Sequence, residues 1–183
     1  MEIYTRKGDD GSTGLLYGGR VAKDSALPVA YGTVDEAQAV IGLARAETER
    51  DSELDRLLVG LERDLWVLMA ELATDPVHHH KLVPGTSLVT PEMVTTLEAM
   101  IDDVMGRFEA PTEFVVPGQT RLAALLDVAR TVTRRAERVS IPAATAGSQV
   151  LAYLNRLSDL LWALARWQDD GSLITRPDAG SHA

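Results

Sequence analysis

Five amphipathic helical segments, separated by short breaks that carry Pro or Gly, predict an all-α, five-helix up-and-down bundle with an extended Gly-rich N-terminal loop. Bulk properties agree. The 183 residues suffice for one domain with a substantial core, and 45% apolar with 25% charged content is ordinary for a globular chain. Aromatics make up only 5%, so Leu and Ala must fill that core, which suits helix-on-helix packing. One domain is expected over residues 1–170. The tail 171–183, rich in Gly, Ser, Pro and Asp, is expected to be disordered.

Residues 1–25 hold Gly8, Gly11, Gly14, Gly18 and Gly19 among Asp, Ser and Thr, and read as an extended segment with turns. Backbone N–H groups in such a stretch can approach a ligand closely. The segment lacks the Gly-Lys-Ser/Thr of a P-loop and the flanking strand and helix of a dinucleotide fingerprint. Asp9-Asp10-Gly11 lacks the downstream glutamate of a calcium loop. Taken alone, the segment fits a flexible arm or an anion cradle. The first helix is expected to start at Pro28 or at Thr33, where Thr33-Val34-Asp35-Glu36 reads as a capping box. Its apolar face is Val34, Ala37, Ile41 and Ala44, with Asp35 to one side. A second helix, about Glu53 to Thr74, turns Leu54, Leu57, Leu58, Leu61, Leu65, Leu68, Met69 and Leu72 inward, and Asp75-Pro76 ends it.

Residues 75–89 are expected to be a solvated loop. His78, His79 and His80 are consecutive and cannot all face one ion from a regular element, so no protein metal site is expected. Thr90-Pro91 then caps a third helix reaching about Phe108. The fourth follows Phe114-Val115-Val116-Pro117-Gly118. Leu122, Leu125, Leu126, Ala129, Val132, Ala136 and Val139 make its core face, and Arg130, Arg134 and Glu137 fall within roughly 60° of each other on another. That second face fits a solvated surface with an Arg134–Glu137 ion pair, or a ligand site. The last helix, Gln149 to about Asp169, has Leu151, Leu154, Leu157 or Ser158, Leu161 and Leu164 on its core face and carries a separate stripe of Asn155, Asp159, Trp162 and Arg166, where an asparagine needs partners if buried.

A formal charge of −9 argues against nucleic acid or an anionic membrane as partner. An anionic ligand would have to be held locally, and Arg130, Arg134, Arg135 and Arg138 crowd into one stretch. The absence of cysteine excludes disulfides and thiolate chemistry. No apolar run of 18 residues and no signal-like start are visible, so a cytoplasmic location is expected.

Four stretches in order, YTRKGDDGSTGLLYGGRVAKD at Tyr4–Asp24, YGTVDEAQAVIG at Tyr31–Gly42, FVVPG with ARTVTRRAER ending at Arg138, and YLNRLSDLLWALAR at Tyr153–Arg166, resemble the PduO-type ATP:cob(I)alamin (corrinoid) adenosyltransferases. The resemblance implies a homotrimer of five-helix bundles with active sites at subunit interfaces. It implies transfer of the 5′-deoxyadenosyl group of ATP, accompanied by Mg2+, to the cobalt of cob(I)alamin. By the same resemblance Thr5, Arg6, Lys7, Gly8, Thr13 and Gly14 form the nucleotide loop and Lys23 meets the phosphates. Arg134, Arg135, Glu137, Arg138 and Asn155 contact the nucleotide from the helices. Asp35 and Arg130 form a pair that bridges subunits, and Phe114 helps exclude cobalamin's lower axial ligand. A cobalamin reductase and an adenosylcobalamin-dependent enzyme are the implied partners. The chain departs from the usual pattern at Gln119 (commonly Gly), Asp127 (commonly His), and Lys7 and Gly14 (commonly small hydroxyl residues). A non-catalytic corrinoid or nucleotide carrier or sensor, and a plain helical interaction module, are the other classes compatible with the chain.

Overall fold

The computed structural model describes Tyr4, residues 6–169 and residues 171–175. Strands β1 (Ser12–Gly14) and β2 (Arg20–Ala22) form an antiparallel hairpin with Thr13 opposite Val21. Five helices follow: α1 (Ala26–Arg45), α2 (Glu53–Leu72), α3 (Pro91–Met105), α4 (Arg121–Ser140) and α5 (Val150–Trp167). Capping is local and legible. Ser52 accepts from the Asp55 amide at 3.1 Å, Thr90 from Met93 at 3.4 Å and Thr120 from Ala123 at 3.0 Å, each satisfying an orphan N–H of its helix start.

Three expectations change. Helix α1 begins at Ala26, because extended Ser25 ends the preceding turn and Pro28 sits in the first helical turn, where a missing N–H costs nothing. Thr33 therefore lies inside the helix and donates to the Val29 carbonyl at 2.7 Å instead of capping. Pro76–Lys81, expected as loop, is a short 3-10 helix opened by Asp75, whose carboxylate accepts from the Val77 amide. The chain after α5 turns back, so that Val116 N–H donates to Leu173 O at 2.7 Å and Thr175 N–H to Phe114 O at 2.8 Å. Leu173 and Thr175 are thus hydrogen-bonded through their backbones, and 176–183 lie outside the described residues.

Cross-links between helices show the up-and-down arrangement. Gln38 reaches the Glu62 carbonyl and Arg45 reaches Asp55, so α1 and α2 are antiparallel. Glu36 with Arg135 and Glu47 with Arg121 make α1 antiparallel to α4. Asn155 with Glu137, and Gln168 with Thr120, do the same for α4 and α5. Helix α3 runs parallel to α5, with Glu98 on Arg156 and Arg107 stacked 4.8 Å from the Trp167 ring centre. The neighbour order is α2, α1, α4, α5, α3. Tyr153 closes the circuit from α5 to α2 by donating to Asp64 Oδ2 at 2.9 Å.

Helix α5 is buried on almost every side, from Val150 through Leu154, Leu157 and Leu161 to Arg166. Its expected core position Leu151 is only half-buried, and Tyr153, Leu160 and Ala163 are buried instead, because α3 and α4 cover separate flanks. Burial pushes the Asp64 carboxyl up, opposed by the Tyr153 hydrogen bond. Among the described residues, no helix is long and apolar enough to cross a membrane.

The α1–α2 corner yields a pH test. Asp51 N–H donates to Asp55 Oδ2 at 3.0 Å and Arg45 Nε to Oδ1 at 2.8 Å, and together they hold the Asp55 carboxyl below the usual carboxylate range. A pKa depressed by folding stabilises the fold above the unfolded value of about 3.9, and that contribution fades as pH falls through the folded value. Asp55→Asn should therefore melt lower than the wild type at pH 7. In thermal scans from pH 7 to pH 2 the gap should narrow below about pH 4.

Candidate functional site

The site residues fall into three groups. The first is the loop ahead of α1. Arg20 braces it, donating from Nη2 to the Lys7 carbonyl and to Ser12 Oγ, both at 2.5 Å. Asp10 accepts from both the amide and the hydroxyl of Ser12, at 2.9 and 2.7 Å. The backbone is unusual at Arg6, whose φ of 57° lies in the left-handed region that side chains disfavour. Gly8 is closely approached, since a Cβ there would come 3.1 Å from the Ser12 carbonyl oxygen and 3.2 Å from Lys23 Nζ. Lys7, Gly8, Thr13, Gly14 and Lys23 are thus gathered on one braced hairpin. Leu16 N–H ties that hairpin to the Ala73 carbonyl after α2 at 2.8 Å. Thr5 lies outside the described residues.

The second group is the outer face of α4. Arg134, Arg135 and Arg138 are exposed while Ala136 between them is fully buried. Arg135 pairs with Glu36 of α1. Among the described residues no carboxylate pairs with Arg134 or Arg138. Glu137 does not engage Arg134; it accepts from Asn155 Nδ2 at 3.2 Å. The Asn155 carbonyl in turn accepts from Arg156 Nη1 at 2.7 Å, and Arg156 Nε donates to Glu98 at 2.9 Å. A polar chain, Glu137–Asn155–Arg156–Glu98, therefore crosses from α4 over α5 to α3. It answers the requirement that Asn155 find partners, and Arg156 is a member that periodicity alone did not single out.

The third group surrounds a cavity of about 730 Å³ between the 112–117 segment and the meeting of α4 and α5. Phe114, Arg130 and Trp162 line it, with Asp127, Arg166 and Thr175. Phe114 is 86% exposed, so it is no core aromatic. Beneath the cavity lies a charge cluster that sequence reading passed over. Asp127 Oδ2 accepts from Arg166 Nη2 and Asp169 Oδ2 from Arg166 Nε, each at 2.6 Å, with the Arg166 side chain 3% exposed. Arg130 Nε donates to the other Asp127 oxygen at 3.1 Å. Burial works against the Arg166 charge, yet the Asp127 and Asp169 carboxylates outweigh it and hold its pKa above the ordinary arginine value. The available signal was a carboxylate, Asp127, inside the apolar run Leu125-Leu126-Asp127-Val128-Ala129.

Asp35 joins none of these groups. It edges an apolar hollow of about 440 Å³ with Leu16, Tyr31, Trp66 and Met69, where Trp66 is 68% exposed. Within the chain, and among the described residues, no ion pair joins Asp35 to Arg130. Nor, among those residues, does any group of three His, Cys, Asp or Glu side chains suit a metal ion; of the three loop histidines, His79 hydrogen-bonds the Thr74 carbonyl and the Thr145 hydroxyl.

Residues 3–168 match the family model described as Cobalamin adenosyltransferase. A corrinoid adenosyltransferase of Mycobacterium tuberculosis is 43% identical over 181 residues, covering 96% of this chain and 93% of the relative. One from Citrobacter freundii is 40% identical, covering 96% and 97%. The fold matches a variant PduO-type ATP:corrinoid adenosyltransferase from Lactobacillus reuteri, solved with cobalamin and ATP, at a TM-score of 0.85 and 30% identity, over 96% of this chain and 97% of that one. With a braced Gly-rich hairpin, an outward arginine face and a Phe114-walled cavity joined by helix α4, the chain belongs to the cobalamin adenosyltransferase family.

Proposed function

We infer that this chain is an ATP:corrinoid adenosyltransferase, which transfers the 5′-deoxyadenosyl group of ATP to the cobalt of cob(I)alamin and releases triphosphate. In the reaction a cobalt–carbon bond forms at C5′ as the C5′–O bond breaks, and the electron pair of that bond leaves with the triphosphate. The observation that carries the placement of the site is the succession along α4: Arg130 lines the cavity, and Arg134 and Arg138, one and two turns on, are exposed cations. Corrinoid in the cavity and ATP along the arginines would meet at their junction.

The leaving group carries about four negative charges, so catalysis is chiefly positioning and electrostatic stabilisation. Arg134, Arg138 and Lys23 supply that charge, with Arg135 beside them. The backbone of Arg6, Lys7, Gly8, Thr13 and Gly14 closes on the phosphates from the hairpin, and Thr5 continues that loop. Glu137 and Asn155 fix the nucleoside end. Mg2+ enters with the phosphates, whose oxygens are its natural ligands. Phe114, exposed at the cavity mouth, offers cobalt no ligating atom, and so favours loss of the lower axial ligand.

The apolar hollow beside Asp35, with Trp66 and Leu16 exposed in its lining, supports a homotrimer in which Asp35 of one chain meets Arg130 of the next. In this reading the chain is a cytoplasmic enzyme, supplied with reduced corrinoid by a reductase and feeding an adenosylcobalamin-dependent enzyme, as the family resemblance implies.

Anaerobic turnover with chemically reduced cobalamin and MgATP, followed by the absorbance change of cobalt–carbon bond formation, tests the assignment. Arg134→Ala should fold normally, since its side chain is outside the core, and lose roughly 10- to 150-fold in turnover, the worth of one charge-assisted hydrogen bond of about 1.5–3 kcal/mol. Binding of both substrates by the wild type without turnover would identify a carrier instead.

Assembly is testable by sedimentation. Asp35→Arg and Arg130→Asp should each place like charges together and weaken the trimer. The double swap should restore part of it, whereas strictly additive defects would argue against a direct pair.

A further inference from the structure

The Asp127 side chain is 7% exposed, and its two oxygens are shared between two arginines of different burial. Oδ2 accepts from Arg166, whose side chain is 3% exposed, at 2.6 Å. Oδ1 accepts from Arg130 Nε at 3.1 Å, and the Arg130 side chain, 28% exposed, lines the cavity. Arg166 is held at its other edge by Asp169 at 2.6 Å. Turning Asp127 away would break its bonds to both arginines, and turning Arg166 away would leave Asp169 unpaired inside the bundle, so the oxygen that faces Arg130 is a fixed point. That bond occupies only the Nε of Arg130. Among the described residues, nothing accepts from its two terminal amino groups. The buried pair itself needs only Oδ2, so the Arg130 contact is not required to neutralise Arg166.

We propose that Asp127, anchored by Arg166, is a positioning residue that fixes the Arg130 guanidinium in the cavity wall and thereby tightens corrinoid binding. The effect on the corrinoid rests on reading the cavity as the corrinoid site; the clamp on Arg130 does not. Arginine has several freely rotating bonds, and ordering such a side chain before the ligand arrives is worth about 2- to 12-fold in affinity. Losing the charge on Asp127 also weakens the hydrogen bond that holds Nε.

The test is a double-mutant cycle in the intact enzyme, with KM measured separately for cobalamin and for ATP. Asp127→Asn should raise the cobalamin KM about tenfold and leave the ATP KM within about twofold. In an Arg130→Gln background the same substitution should change the cobalamin KM by less than about twofold, because its effect passes through Arg130. A folded Asp127→Asn enzyme with an unchanged cobalamin KM, or two penalties that multiply independently, overturns the proposal. If Arg130→Gln alone leaves the cobalamin KM unchanged, the corrinoid assignment of the cavity fails. The clamp is then judged by proton exchange at arginine Nε in the wild type, and so it is if Asp127→Asn does not fold. Exchange at Arg130 about tenfold or more slower than at exposed Arg134 supports the clamp, and equal rates overturn it.

Discussion

A guanidinium inside a helix bundle must be met by carboxylates, and Arg166 decides how α4, α5 and the chain beyond α5 come together. Its two edges are taken by Asp127 of α4 and by Asp169 just past the end of α5. Removing Arg166 would leave the buried Asp169 carboxylate uncompensated, typically at a cost of about 3–5 kcal/mol. A slide of α4 along α5 is therefore opposed by electrostatics as well as by packing. Directional ion pairs set a single register where Leu and Ala surfaces alone would tolerate several. With that register in place, Asn155 faces Glu137 and Thr120 meets the Gln168 carbonyl without further adjustment.

The same register builds the cavity. Asp169 fixes where the chain leaves α5, and residues 173–175 can then pair with 114–116. That pairing satisfies the backbone of an otherwise isolated extended segment and holds Phe114 out at the mouth, 86% exposed. Phe114 and Arg130 are sixteen residues apart on different kinds of structure, yet one cluster of buried charge positions both.

Much of this was legible in the chain. Periodicities of three and four residues located all five helices, and the Thr90 cap with Pro91 at the first helical position marked the start of α3. The start of α1 was misread because Thr33-Val34-Asp35-Glu36 has the capping-box spacing, and spacing cannot reveal that the chain is already helical upstream. The arginine face was visible for the same reason as the core face: both obey one period. What was hidden depends on contacts between distant residues. Asp127 and Arg166 are 39 positions apart, and the apolar run around Asp127 hints at burial without revealing which arginine meets it. The braces Arg20 and Arg156 are hidden likewise, since each acts on the backbone or amide of a residue whose own type was already suggestive. Compositional reading called the tail disordered, but pairing of 173–175 needs only backbone groups, to which composition is nearly blind.

The electrostatic layout divides labour between two kinds of arginine. The chain is acidic overall, at −9, and most of its arginines are spent on neighbouring carboxylates. Arg166 lies at one extreme, buried and neutralised on both edges, and contributes nothing to the field outside. Arg134 and Arg138 lie at the other, exposed and without a carboxylate partner among the described residues, so their field is available to an incoming anion. Water screens that field in the open site, and a bound corrinoid that displaces the water would lower the local dielectric and strengthen it where negative charge develops. Arg130 stands between the two kinds, tethered at Nε and, within its own chain and among the described residues, without an acceptor at its terminal amino groups. A guanidinium held in this way keeps its charge at the cavity while losing little further freedom on binding. In the proposed function, that arrangement suits a cavity wall that borders the charged face proposed to receive ATP.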